Sequence, residues 1–255
     1  SGLIEGNFEG GWLDAIEFSG ATTGVNVNLA AQTATDGQGG SDTVRGIEIV
    51  RGTQFNDTML GAGAEREVFR GAGGNDTIDG GIGHDTAEYD FRDAVGPVSF
   101  TVTYQTGTTG TQADGRGGVD SLSNIEMVQF NGGQAGDTFE GGAGNDFAEG
   151  HEGNDTLTGN GGNDAFGYEM RNTNGASLGR DLVTDFGDGD HLHFRGMEIW
   201  SVQAGDGSGL LRGQVAISYN SGTNTTTVAV GGDGVAGAAL FIVLAGPYNL
   251  SAFPV

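Results

Sequence analysis

Three observations predict an all-β chain folded as a parallel β-roll, in two repeat blocks closed by a C-terminal β cap. The first is a nine-residue beat: Asp146, Asp155 and Asp164 each follow a glycine-rich loop and precede, by two residues, an apolar side chain, Ala148, Leu157 or Phe166. The second is the glycine content, 52 of 255 residues. That is roughly three times ordinary usage, yet apolar residues keep a fixed period, which a flexible linker would not impose. Only three prolines are present and glycine does not fall at every third position, so the triple helix is excluded as well. The third is a duplication: GQGGSDTVRGIEIV from Gly37 matches GRGGVDSLSNIEMV from Gly115, an offset of 115 − 37 = 78. A repeated unit of this kind stacks into a solenoid.

The elements follow in order. EGGWLDAIE holds a partial copy of the nonad G-G-x-G-x-D-x-U-x (U apolar), supplies Asp14 and closes a truncated unit within residues 1–36. VNVNLA (Val25–Ala30) alternates as an exposed strand does. Looser copies start at Gly37 and Gly52, with Asp42 and Asp57, and good copies at Gly71 and Gly80, with Asp76 and Asp85. Between them GAGAEREVFR (Gly61–Arg70) is one residue too long and puts Arg66 on the aspartate beat, which predicts a weak or missing site, with Glu65 or Glu67 as partial substitutes. This first block spans 1–92. The second, 93–170, opens with VSFTVTY (Val98–Tyr104), again alternating as an exposed strand. It continues through looser copies at Gly115 and Gly132, with Asp120 and Asp137, and ends in good copies at Gly141, Gly150 and Gly159. GIEIVR and NIEMVQF each stand in for one opposite-side nonad. In 171–255 the period stops, and Arg180–Phe194, VAISY and ALFIVL are expected to form β-structure covering the last open layer.

Composition narrows the function classes. The net charge of −24 repels phosphate backbones, which argues against nucleic-acid binding. It also opposes compaction unless cations neutralise it. Cysteine and lysine are both absent, removing disulfides, thiolate metal sites, P-loop chemistry and Schiff-base chemistry. No apolar run reaches the ~18 residues of a membrane-spanning helix. The segment SGLIEGNFEGG lacks the features of a cleavable signal peptide and begins mid-pattern, as the cut edge of a larger protein would.

A six-residue loop and a three-residue strand make one half-turn of the roll, so loops n and n+2 stack on one side. Calcium takes about six to eight oxygen ligands. Two stacked loops can supply them from carbonyls and one aspartate each. The candidate ligands are Asp14, Asp42, Asp57, Asp76, Asp85, Asp120, Asp137, Asp146, Asp155, Asp164 and Asp185, for roughly five to eight ions. The expected pairs are Asp42 with Asp57, Asp57 with Asp76, Asp120 with Asp137, Asp137 with Asp155, and Asp146 with Asp164. Met59, Ile78, Leu122, Phe139, Leu157 and Phe166 should point inward. The core is thin, and Ala87 and Ala148 bury little, ~0.5–1 kcal/mol each. Extracellular calcium modules bind at about 10⁻⁴–10⁻³ M, so each site adds roughly 0.5–1.5 kcal/mol in millimolar calcium and almost nothing in the cytosol. Several such sites fold a marginal domain.

Other motifs compete less well. Asp185, Asp188 and Asp190 form either a further calcium loop or a solvated turn, without the glutamate of an EF-hand. His151-Glu152 does not complete HExxH, because Asp155 stands at its end. GASLG (Gly175–Gly179) spells a nucleophile elbow without the strand–turn–helix it needs. His191 and His193 have no third ligand nearby. A row of threonines after the loop aspartates (Thr43, Thr58, Thr77, Thr86, Thr138, Thr156) could meet ice or sugar, but threonine simply favours exposed strands. No catalytic constellation is present, so no enzyme activity is expected within this segment; an upstream catalytic domain is compatible with the sequence.

GAGGNDTIDGGIGHDTAEY and GGAGNDFAEGHEGNDTLTGNGGNDAFGY resemble the RTX (repeats-in-toxin) family of Gram-negative secreted proteins. DLVTDFGDGDHLHF and FIVLAGPYNLSAFPV are similar to the C-terminal region of serralysin-type proteases, although SAFPV (Ser251–Val255) departs from the acidic-plus-three-apolar ending common there. The resemblance implies the C-terminal part of a type I-secreted bacterial protein that folds on calcium outside the cell and acts as a folding and secretion scaffold. Its implied partners are calcium and the type I secretion apparatus. The alternative is a calcium-dependent adhesin or carbohydrate-binding module, meeting a glycan or cell surface through the roll face or the loops around Thr106–Gln112.

Overall fold

The computed structural model describes residues 3–5, 13–18, 20–63, 66–105, 108–169, 178–196, 199, 201–212, 214–231 and 238–248. Among them every regular element is a β-strand. The strands group into two compact units, one of Ser1–Asp90, Val102–Gln129 and Gly142–Gly144, the other of Phe91–Thr101, Phe130–Gly141 and Asn145–Val255.

In the first unit the chain steps from Thr58–Leu60 in one sheet to Val68–Arg70 in another, back to Thr77–Asp79, and on to Thr86–Asp90. Equivalent strands pair in parallel: Thr58 opposes Thr77 and Met59 opposes Ile78, which in turn opposes Leu122. Ile49–Arg51 and Met127–Asn131 lie in the sheet of Val68–Arg70, so GIEIVR and NIEMVQF do take the places of nonads. The period puts one side chain per strand inward, and Met59, Ile78 and Leu122 are all buried.

Two expectations need correction. The copies from Gly37 and Gly115 do not make plain half-turns; they turn back within one sheet. Thr33–Thr35 runs antiparallel to Ser41–Arg45, and Thr109–Ala113 antiparallel to Val119–Ser123. The cause is local. Asp36 Oδ1 accepts the N–H groups of Gln38 and Gly40, and Asp114 Oδ1 those of Arg116 and Gly118, each at 2.7–2.8 Å. Such aspartate turns mimic a backbone turn, and Gly37, Gly39, Gly115 and Gly117 supply its left-handed backbone. The alternating stretches are also not exposed on both faces: Val25, Val27 and Leu29, and Phe100, Val102 and Tyr104, are buried.

In the second unit Thr138–Glu140, Thr156–Thr158 and Gly179–Val183 stack in one parallel sheet. Asn145–Glu149, Ala165–Glu169 and His191–Arg195 stack in another. The segment Arg180–Phe194, expected as cap, therefore extends the roll by one turn. The cap proper is antiparallel: Gln214–Asn220 and Thr225–Gly231 pair, and the latter pairs with Ala238–Ala245, which lies parallel to Gly179–Val183. Phe139, Leu157 and Phe166 are buried as expected, and Phe130 sits among Phe91, Phe100 and Phe139 at centroid distances of 5.3–5.7 Å.

Candidate metal centre

Most loop aspartates stand at or just before the start of a strand, and a chain of them passes a carboxylate oxygen to a backbone N–H of the neighbouring turn. Asp57 Oδ1 accepts the Val25 N–H at 2.7 Å, Asp76 Oδ1 that of Asp57 at 2.8 Å, and Asp120 Oδ1 that of Asp76 at 3.0 Å. The second unit repeats the chain of bonds through Val98, Asp137, Asp155 and Asp181, at 2.7–2.9 Å. On its other flank Asp164 takes the N–H of Asp146, and Asp190 that of Asp164, both at 2.8 Å. These charge-assisted bonds fix one oxygen of each accepting carboxylate.

The second oxygen faces the loop interior. A Cβ on Gly52, Gly71, Gly150 or Gly159 would overlap Oδ2 of Asp57, Asp76, Asp155 or Asp164, the aspartate of the same loop. Glycine opens the nonad because that space belongs to the carboxylate. The fourth position needs glycine for a different reason: Gly74, Gly153 and Gly162 hold φ of 109–130°. Oδ2 of Asp76 and of Asp155 is buried and has no hydrogen-bond donor. A buried carboxylate oxygen left this way is costly, and a hard cation satisfies it. Among the described residues no three acidic, histidine or cysteine side chains converge, so carbonyls must complete the shell, as calcium permits.

Burial, opposed in part by the backbone hydrogen bonds, raises these carboxyl pKa values: Asp76 to about 7, with repulsion from Asp120, Asp57 and Asp114 added. Asp120 and Asp155 rise to about 6, Asp164 to about 7 and Asp181 to about 8, burial again leading each time. Asp57 and Asp85 also rise, mainly through burial. Without a cation the row disfavours its own charge.

The structure brings together three of the expected pairs, Asp57 with Asp76, Asp137 with Asp155 and Asp146 with Asp164. It does not bring together Asp42 and Asp57, because Thr33–Thr35 and Asn26–Asn28 lie between their strands. Nor does it pair Asp120 with Asp137: Asp120 stacks on Asp76, and their strands belong to different sheets. Asp42 opposes Ala34 in the hairpin. Asp14 donates its N–H to Glu48 Oε2 at 2.9 Å. Both oxygens of Asp185 accept backbone N–H groups, from Gly159 and Asn160 at 2.9 and 2.7 Å, closing the neighbouring loop.

Asp181 was missed, and Asp190 was weighed only with Asp185 and Asp188, although Asp181 and Asp190 are themselves nine apart (190 − 181 = 9). The interval from Asp155 to Asp181 is 26 residues, which hid their phase. Arg66 is exposed, and Glu67, not Arg66, stands on the beat, its N–H donating to Asp85 Oδ1 at 2.8 Å. Tyr89 was not anticipated as a site residue; its buried hydroxyl donates to Asp120 Oδ2 at 3.1 Å. His191 and His193 are exposed. Thr58 and Thr77 align as neighbours, but Thr86 is buried, so the threonines do not share one outer face. Glu65, most of Gly175–Gly179, part of Thr106–Gln112 and all of Ser251–Val255 lie outside the described residues.

The fold and these loops define a calcium-binding β-roll. Residues 62–87 and 131–166 match the RTX calcium-binding nonapeptide repeat, in four copies. That repeat is a non-catalytic calcium-binding module. No curated protein matches the chain. Among solved structures, the crystal structure of extracellular lipase LipA from Serratia marcescens is similar over 81% of this chain and 38% of its own, with 20% identity and a TM-score of 0.27. The chain thus spans well under two thirds of that enzyme's length. No helix among the described residues is long and apolar enough to cross a membrane.

Proposed function

We propose that the chain is a calcium-triggered folding module of a larger protein exported by a type I system from a Gram-negative bacterium. Loosely structured in low cytosolic calcium, it folds in millimolar calcium outside the cell and helps its passenger fold. The carrying observation is the row of buried carboxylates, one oxygen fixed by a backbone N–H and the other without a donor at Asp76 and Asp155. The ligands offered are Asp57, Asp76, Asp120, Asp137, Asp146, Asp155, Asp164, Asp181 and Asp190, with loop carbonyls. Bound calcium neutralises charge that the fold otherwise crowds together.

Circular dichroism of the chelated chain, titrated with calcium and separately with magnesium, tests this. The β signal should rise in millimolar calcium and stay low in magnesium, which prefers a smaller octahedral shell. A full β signal in chelator, unchanged by calcium, refutes the proposal.

A further inference from the structure

Each repeat block ends in a tyrosine four residues beyond a loop aspartate: Tyr89 after Asp85 (89 − 85 = 4) and Tyr168 after Asp164 (168 − 164 = 4). Both are buried. On Thr86–Asp90 the alternation that turns Ala87 inward turns Tyr89 inward as well. That strand lies in the sheet of Val68–Arg70, whereas Asp120 lies in the sheet of Thr77–Asp79. The Tyr89 hydroxyl nevertheless donates to Asp120 Oδ2 at 3.1 Å, so it ties one sheet of the unit to the carboxylate row of the other.

The carboxylates of that row are not held alike. Asp57 takes the Val25 N–H on Oδ1 and the Thr53 N–H, at 2.6 Å, on Oδ2. Asp120 takes the Asp76 N–H on Oδ1 and the Tyr89 hydroxyl on Oδ2. Asp76, between them, takes the Asp57 N–H on Oδ1, and its Oδ2 is buried without a donor. The flanking carboxylates are therefore fixed at both oxygens, and the open oxygen lies between them. Asp120 is the last aspartate of the row, and its strand pairs on the far side with the hairpin strand Thr109–Ala113, not with another nonad. The phenol holds its second oxygen instead. Burial alone does not compel that bond, because the Tyr168 hydroxyl is buried and has no hydrogen-bond partner. A hydrogen bond to a metal-ligating side chain orients the ligand and is worth about 10–100-fold in affinity.

We propose that Tyr89 is a positioning residue for the cation held by Asp76 and Asp120: its hydroxyl, reaching from the other sheet, aims the Asp120 carboxylate before the ion arrives. It touches Asp120 and acts through it. The proposal rests on the calcium-binding reading above and adds to it a residue outside the repeat, with Tyr168 as its unengaged counterpart.

The test is equilibrium dialysis of the full chain across calcium concentrations at which its β signal is complete, for wild type, Tyr89→Phe and Tyr168→Phe. Tyr89→Phe keeps the ring and loses the hydroxyl. One of its ions should need about 10–100-fold more calcium, the others should bind as in wild type, and the full count should return at saturation. Tyr168→Phe should follow wild type throughout. If Tyr89→Phe also follows wild type, or if all its ions weaken together with the fold, Tyr89 merely packs the core and the proposal is overturned while the calcium reading stands. If the wild type binds none, both fall. Should Tyr89→Phe fail to fold, wild-type crystals grown in calcium decide. A Tyr89 hydroxyl still within hydrogen-bond distance of an Asp120 that ligates an ion supports the proposal, and a hydroxyl turned away from Asp120 overturns it.

Discussion

The two units build the same device from different material. In the second, Asp146, Asp164 and Asp190 form one row and Asp137, Asp155 and Asp181 another. In the first, one row is aspartate, but the other runs through Glu67, Asp85 and Glu126. The cores differ too: Met59, Ile78 and Leu122 are aliphatic, whereas Phe91, Phe100, Phe130 and Phe139 form an aromatic cluster. What the roll requires, then, is a carboxylate that reaches the next turn's N–H and an inward apolar side chain two residues on. The nine-residue text is the commonest way to write that, and other texts meet the same condition.

Acid should expose the comparison most strongly in the calcium-free chain. The folded-state carboxyl pKa values lie above their ordinary value, so this repulsion is absent below about pH 4 and sets in as pH rises through the folded values. Structure should therefore be gained as pH falls from 9 to 4. The gain should begin at higher pH in the second unit, where Asp181 stands at about 8 and Asp164 at about 7, than in the first, where Asp76 stands at about 7 and Asp120 at about 6. Peptide-resolved hydrogen exchange in chelator checks the order; simultaneous gain, or loss on acidification, contradicts it.

With calcium saturating, Phe130→Ala removes a fully buried ring with three ring neighbours and should cost about 3–5 kcal/mol. Ile78→Val in the aliphatic core should cost about 0.5–1.5 kcal/mol. Denaturant titrations measure both. Gly150→Ala places a methyl on Asp155 Oδ2 and should cost about 1–3 kcal/mol, while Gly96→Ala, with open space around it, should stay within about 0.5 kcal/mol. Equal effects would sink the view that the opening glycine makes room for the carboxylate.

The two tyrosines that end DTAEY and DAFGY give the finest contrast. Tyr89 hydrogen-bonds Asp120, whereas the Tyr168 hydroxyl is buried without a partner. Tyr89→Phe should cost about 0.5–1.5 kcal/mol, and Tyr168→Phe should be neutral or stabilising. Thermal melts of both variants in calcium decide between this and equivalent roles.

The fold class, the inward residues Met59 to Phe166 and three aspartate pairs were legible because period and side-chain direction are locked together in a strand. The hairpins at Asp36 and Asp114 were not, since a glycine-rich turn before an alternating strand looks the same whether the chain crosses between sheets or doubles back. Asp181 escaped, and Asp190 was not recognised as continuing the row, because a longer connection shifted their phase while preserving their own nine-residue interval. Glu67 was expected only as a partial substitute, and Glu126 escaped, because a motif written in aspartate conceals a requirement for any carboxylate that reaches. Asp185 was conspicuous in sequence, yet its oxygens are taken up by Gly159 and Asn160.

The central claim is that folding and cation uptake are one event. Unfolding free energy should be measured across calcium concentrations by denaturant titration, with magnesium as the comparison. Mass action makes its slope against the logarithm of calcium concentration the number of ions released on unfolding. The account predicts a slope equivalent to several ions in calcium and near zero in magnesium. A slope near zero in calcium, with the chain folded in chelator, would contradict it.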